Sequence, residues 1–562
     1  MANPKETFIT TIESRLRFIY KDSYSDEILQ KLFAVLSKYQ AIDNSNLKWD
    51  EKDVVLITYG DSIKTENEIP LQTLNRFLNK KLKEQLTVVH ILPFFPYSSD
   101  DGFSVIDFRK VNPELGDWSD VATLNSNFDL MADLVINHAS SRGEWFQNFL
   151  KQKGVGKDYF ICEDPAKDLS QVTRPRNTPL LTPYETAEGI KHVWTTFSAD
   201  QVDLNFSNPD LLVEMMDILL AYITHGARII RLDAIAFLWK VVETTCLHLP
   251  ETHEVVKLMR DVAEHVNPAA IILTETNVPN KENLSYFGEG DEAHMVYQFS
   301  LPPLLLHALH TANSSYLTTW AKSLPSLSGD KTFFNFTASH DGIGVRPLEG
   351  LLPEEEKNTL VENMKGFGGF VNYKSNPDGS QSPYELNITY FDALKGTANG
   401  EDRFQVERFL ASQTVMMSFA GVPAFYIHSL TATPNYHEGV AVTKHNRTIN
   451  RRKWQLNELE EILNTETPQQ KVFTSLQKLI ALRKKQAAFH PNAKQEILDL
   501  GKEVFAMVRR SPEQTIVVVV NLSASKTAFE LPADLTELNH DLISDSKINK
   551  RELEAYQCCW FT

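Results

Sequence analysis

The segment RLDA, residues 231–234, sets a guanidinium and a carboxylate two residues apart. In an extended strand that spacing puts Arg231 and Asp233 on one face, where the arginine holds the aspartate ionised and makes it a potential nucleophile. A plain ion pair has the same spacing, so the pair alone decides nothing. Further along, IILTET at 271–276 places Glu275 behind an apolar run. Partial burial there raises a carboxyl pKa and suits the residue to general-acid work. TASHD at 337–341 brings His340 and Asp341 to the end of another such run, and DLVINH at 133–138 does the same for Asn137 and His138. A single histidine of this kind is as a rule a satisfied structural residue. Four polar strand ends converging on one mouth are poorly explained by accident.

The elements that must position these groups are short β-rich runs that end in polar residues: 54–59, 86–93, 129–137, 228–234, 269–276, 295–300, 333–341 and 423–429. Helix-like stretches separate them. Alternation of strand and helix implies parallel pairing, and eight strands imply an α/β chain closed into a (β/α)8 TIM barrel, whose active site lies at the C-terminal strand ends. The intervals after the third and seventh runs are too long for one helix and predict two inserted subdomains. The expected organisation is an N-terminal helical extension (1–49), barrel segments (50–135, 208–342 and 397–488), inserted domains at 136–207 and 343–396, and a C-terminal β domain (489–562). Ile28, Leu29, Leu32, Phe33 and Leu36 repeat at the spacing of one helical face. NPDGSQSPYELN at 376–387 reads as a mobile loop over the catalytic face.

Composition narrows the function classes. With 562 residues, 42% of them hydrophobic, the chain is long enough for a multidomain enzyme. Its net charge of -17 would repel nucleic acid or an anionic membrane. Cys162, Cys246, Cys558 and Cys559 have no metal-ligand or paired spacing and read as reduced thiols. No signal-peptide pattern opens the chain, and no apolar run approaches the ~18 residues that span a bilayer, so the expected location is the cytoplasm.

DLVINH, RLDA, TET and SHD match, in order, the four signature regions of the α-amylase clan. Within it the chain resembles the sucrose phosphorylase family from residue 54 onward, through HILPFFP, DDGF, FSLPPLLLHAL, SHDGIGV, FAGVPAFYI and NRTINRRKW. The resemblance implies a retaining α-glucoside phosphorylase in which Asp233 is the nucleophile, Glu275 the acid/base and Asp341 the stabiliser of the oxocarbenium-like transition state. It implies that the first two carboxyls lie about 5 to 5.5 Å apart. It also implies glucosyl contacts from Asp100, His138, Arg231, His340 and Arg447, with Phe103 and Phe197 as apolar walls. Phosphate or acceptor contacts would come from Arg176, supported by Arg174, Tyr384 and Glu385. No cofactor and no metal are implied; many amylases hold calcium near the region of Asn137, but relatives of this family generally do not. The implied partners are a small α-glucoside and inorganic phosphate, with the chain a monomer or homodimer.

Departures from the sucrose enzymes concentrate on the acceptor side: Phe237 in place of Tyr, Asn277 in place of His after the acid/base, and Glu385 in place of Gln. DDGFSVID, VTRPR, TETNVP, EAHMVYQFSLPPL and NPDGSQSPYELN together resemble the glucosylglycerate phosphorylases, which release glycerate. Sucrose, sucrose 6′-phosphate and glucosylglycerol stay open as donors. So do a hydrolase or transglucosidase built on the same carboxylates, and a barrel that has lost catalysis and serves as a binding module.

Overall fold

The computed structural model describes residues 4–42, 48–376 and 380–562. Eight parallel strands close into a barrel: β1 (Val55–Thr58), β2 (Val88–Ile91), β3 (Asp129–Val135), β4 (Ala227–Asp233), β5 (Ile271–Thr274), β6 (Met295–Tyr297), β7 (Thr332–Asn335) and β8 (Val422–Tyr426), with β8 returning to β1. Strands covered on both faces are apolar along their whole length. Val55, Leu56 and Ile57 of β1 and Ile271, Ile272 and Leu273 of β5 are accordingly all buried. Each of the eight runs read from the sequence contributes one barrel strand.

Two excursions leave the catalytic end. After β3 the chain forms a short pair, His138–Ser140 with Gln201–Asp203, and a hairpin, Leu181–Thr186 with Gly189–Trp194. It re-enters the barrel through the helix Pro209–Thr224, whose start is fixed by proline at its first position and by the Asn208 side chain accepting from the Asp210 N–H. After β7 come the helix Glu354–Gly366 and a three-stranded antiparallel sheet of Ile343–Gly344, Gln381–Asn387 and Phe370–Ser375. This corrects the expectation of a loop at 376–387: Gln381–Asn387 is the central strand of that sheet. Pro377–Gly379, the Pro-Asp-Gly of the expected loop, lie outside the described residues.

The N-terminal segment is two helices, α1 (Pro4–Tyr20) and α2 (Asp26–Leu36), the second burying Ile28, Leu32, Val35 and Leu36. Residues 1–3 and 43–47 of the expected extension lie outside the described residues. Arg15 of α1 pairs with Glu254 at 3.0 Å and Asp261 at 2.9 Å on the helix Pro250–Val266, which ties the segment to the barrel's outer ring. At the other end of the chain, a six-stranded sheet including Val504–Arg510, Thr515–Asn521 and Cys558–Phe561 packs on the helix Gln405–Ser418, where Arg509 donates to the Ser418 carbonyl at 2.6 Å. Among the described residues no helix is long and apolar enough to cross a membrane.

Candidate active site

Asp233 closes β4, Glu275 follows β5 directly, and Asp341 lies on the loop after β7; all three line one cavity at the C-terminal mouth. Asp100, Phe103, His138, Phe197, His340, Arg176, Tyr384 and Arg447 line it too. Arg231, Arg174 and Glu385 do not. Arg231 lies beneath the floor, 3% exposed, and Arg174 turns away to donate to the Thr178 carbonyl. Glu385 is buried behind the wall, its carboxylate bidentate on Arg447 at 3.0 and 2.6 Å.

The floor is electrostatically asymmetric. Arg231 Nη1 donates to Asp233 Oδ1 at 2.8 Å, whereas its Nη2 is 3.8 Å from Glu275. Glu275 Oε2 instead accepts from the Ala234 N–H at 2.9 Å. Ala234 adopts a left-handed conformation, φ +50°, unusual for a residue with a Cβ and of the kind that gathers at active sites. Burial pushes the pKa of both carboxyls upward against the pull of Arg231, and for Asp233 the charge of Glu275 adds to the rise. Two such groups titrate as a unit. Of the two carboxyls, the guanidinium hydrogen-bonds Asp233 alone, a contact that favours the ionised form of Asp233.

Asp341 faces the opposite field. Burial pushes its carboxyl up, but Arg447, Arg451 and Arg231 pull it below the ordinary carboxylate value. Arg447 Nη1 lies 2.5 Å from Asp341 Oδ1, so this one guanidinium bridges Asp341 and Glu385. Gly342 and Gly344 permit the approach: a Cβ on the first would sit 2.5 Å from Glu385 Cγ, and on the second 2.6 Å from Asn277 Oδ1.

The walls follow from aromatic packing. The Phe103 ring stacks on His340 with centroids 4.7 Å apart. Phe197 packs on His138 at 5.2 Å and edge-on to Phe237 at 5.4 Å. His138 Nε2 meets the Phe103 carbonyl at 2.8 Å, which fixes its proton on that nitrogen, and burial lowers its pKa. Asp100 and Asp101 take consecutive left-handed conformations, φ +51° and +48°. At the rim, the Arg176 guanidinium sits between the faces of Phe197 and Tyr384, 5.8 and 5.7 Å from their centroids. It has no carboxylate within ion-pair distance among the described residues.

Sequence reasoning missed four residues here. Arg451 donates to the His340 carbonyl at 2.8 Å and reaches Asp101 at 2.7 Å. Gln201 spans from the Phe103 carbonyl at 3.1 Å toward Asp100 at 3.4 Å. Asp133 and His90 lie below Arg231, each inside a strand. For the latter two a signal existed: an ionisable side chain in the middle of an apolar run needs a buried partner. Near Asn137, the ammonium of Lys240 lies 2.7 Å from the Asn137 side-chain oxygen and 2.6 Å from Asp203, so the oxygens there already serve a cation.

Comparison with known proteins was consistent with this geometry. Residues 80–341 match the family model for the alpha amylase catalytic domain. The chain is similar to a glucosylglycerate phosphorylase of Spirochaeta thermophila, 47% identical, covering 92% of this chain and 90% of that one. It is similar to another of that name from Escherichia coli, 44% identical over 96% and 98%. Among solved structures, the sucrose 6F-phosphate phosphorylase from Thermoanaerobacter thermosaccharolyticum superposes with a TM-score of 0.74 at 27% identity, covering 85% of this chain and 94% of that one.

Proposed function

The chain belongs to the glucosylglycerate phosphorylase family within the α-amylase superfamily, and from that membership and the site's charge pattern we propose that it transfers glucose from 2-O-α-glucosylglycerate to inorganic phosphate with retention. In the first step an oxygen of ionised Asp233 attacks the anomeric carbon while Glu275 gives its proton to the glycosidic oxygen. The C1–O bond breaks and glycerate leaves. In the second step a phosphate oxygen attacks C1, Glu275 recovers a proton, and the ester to Asp233 opens to give α-glucose 1-phosphate. Asp341, kept anionic by Arg447 and Arg451, offsets the positive charge that develops at C1 in the transition state of each step. His138, Asp100, His340 and Arg447 surround the glucosyl unit, with Phe103 and Phe197 as its apolar sides.

One observation carries this reading: Arg231 hydrogen-bonds Asp233 and not Glu275, which supports Asp233 as the nucleophile and Glu275 as the acid. The cation of Arg176, facing the cavity without a carboxylate partner among the described residues, supports an anion in the acceptor position, first glycerate and then phosphate. Tyr384 lines that side, while Glu385 acts on the site only through Arg447. The mechanism needs no cofactor. The partners are small molecules, the chain acts in the cytoplasm, and it does so as a monomer or homodimer.

The test is release of α-glucose 1-phosphate from glucosylglycerate, sucrose, sucrose 6′-phosphate and glucosylglycerol, each with and without phosphate. Fast, phosphate-dependent turnover of glucosylglycerate is expected. Equal glucose release without phosphate would identify a hydrolase, and preference for another donor would reassign the acceptor.

A further inference from the structure

Beneath the cavity floor lies a row of buried groups of which the two-step mechanism uses only Arg231. His90 on β2, Asp133 on β3 and Arg231 on β4 sit on three adjacent strands, 1%, 0% and 3% exposed, and Asp133 is the register partner of Arg231. His90 Nε2 is 2.6 Å from Asp133 Oδ2. The other oxygen, Oδ1, accepts from Arg231 Nη1, and the same nitrogen donates to Asp233 Oδ1. His90 Nδ1 has no hydrogen-bond partner among the described residues. The imidazole is therefore neutral with its proton on Nε2, since a buried N–H without a partner would cost more than a bare lone pair.

An ion pair buried this deeply is in general no more stabilising than an apolar pair of the same volume. Its retention here has a geometric correlate: it ends on the nucleophile. From that geometry we propose that His90 and Asp133 are positioning residues, which fix the Arg231 guanidinium and divide its charge so that Asp233 stays strongly nucleophilic. This rests on the reading of Asp233 as nucleophile. While Asp133 is anionic, the guanidinium is nearly neutralised from below and draws little electron density from Asp233. Were Asp133 neutral, the whole positive charge would fall on Asp233, making it a weaker attacker and a better leaving group. The charged and titratable groups facing Asp233 are Arg231, Glu275, Asp133 and Asp341; those facing Asp133 are Arg231, His90, His340, Asp233, Glu275, Tyr297 and Tyr222. Burial pushes the Asp133 carboxyl up, but Arg231 and His90 together bring it down to about 2, so it is charged throughout the working range.

α-Glucosyl fluoride isolates the step. Asp233 forms the bond to C1 as the C1–F bond breaks, and fluoride leaves with the bonding pair without waiting for Glu275 or for any particular acceptor. Water or added phosphate then opens the ester. In Asp133→Asn, kcat/KM for fluoride release should fall roughly 10- to 100-fold, and the midpoint of its acid limb should move about one pH unit lower, because a carboxylate that faces a bare guanidinium ionises more easily. In His90→Phe, which removes the donor and leaves Asp133 to draw Arg231 harder, the midpoint should move upward. His90→Gln, which restores an N–H to Asp133, should bring it back. Folding is checked by circular dichroism and thermal melting, and if Asp133→Asn does not fold, the two His90 variants decide. Folded variants whose acid limbs and rates match wild type, or whose limbs all shift in one direction, would overturn the proposal. Wild-type enzyme that releases fluoride but ignores glucosylglycerate would refute the acceptor assignment alone. Failure of wild type to release fluoride would remove Asp233 as nucleophile and this proposal with it.

Discussion

Glu385→Gln probes the least expected contact in the site. Glu385 is fully buried, and both its oxygens are taken by Arg447, whose third arm holds Asp341. A full charge pair with its charges ~4 Å apart at an effective dielectric constant of ~20 is worth about 4 kcal/mol. The glutamine amide keeps one acceptor and so retains a neutral hydrogen bond of about 1 kcal/mol. The loss is then about 2 to 3 kcal/mol, released where it frees Arg447 to turn away from Asp341. At 1.36 kcal/mol per factor of ten, kcat/KM should fall roughly 30- to 150-fold. The assay is initial-rate phosphorolysis of glucosylglycerate at saturating phosphate, with a thermal melt in parallel to separate folding from positioning. A variant within about twofold of wild type in both would refute the reasoning, because Arg447 would then need no anchor.

Other outcomes follow from the same geometry. Glu275→Gln should lose roughly 100- to 10,000-fold on glucosylglycerate yet far less on α-glucosyl fluoride, whose leaving group needs no proton; equal losses would contradict the acid assignment. Since burial raises the Glu275 pKa, wild-type glucosylglycerate turnover should persist above the ordinary carboxylate range and decline on the alkaline side as that proton is lost; that limb should be absent with the fluoride. Arg176→Ala should raise KM for phosphate at least about tenfold while sparing hydrolysis of α-glucosyl fluoride. His294, His310 and His428 are buried and neutral, their pKa values lowered by burial to about 4, about 4 and about 3. The unfolded chain therefore binds protons first, so the stability they lend is present above about pH 6.5 and is lost as pH falls from there toward 4, which denaturant melts across that window would reveal.

The barrel was legible because a strand buried on both faces leaves a largely apolar run, as β1, β5 and β8 show most plainly. The antiparallel strand Gln381–Asn387 was not. Its Pro, Gly and Ser content reads locally as loop, while the pairing that orders it comes from Phe370–Ser375, which ends six residues before it, and from Ile343–Gly344, further back in the sequence. Asp233, Glu275 and Asp341 were visible as polar ends of apolar strands, and the structure brings them to one cavity. The two arginines of RPR could not be separated by pattern, since only the path of the turn through Pro175 decides that Arg176 faces inward and Arg174 outward. Glu385 looked like an acceptor contact because it neighbours Tyr384. Alternation along a strand puts the two on opposite sides, one in the cavity and one on Arg447. Arg451 sits in a run of basic residues that gives no hint which of them turns in.

The central step is the bond from Asp233 to the anomeric carbon. The direct measurement is peptide-resolved mass spectrometry of Glu275→Gln after brief exposure to α-glucosyl fluoride, where release of the ester is slowed for want of a base. One glucosyl residue should appear, on the peptide carrying Asp233 and at that side chain. A label on any other residue, or fluoride released with no labelled protein at any quench time, would contradict it.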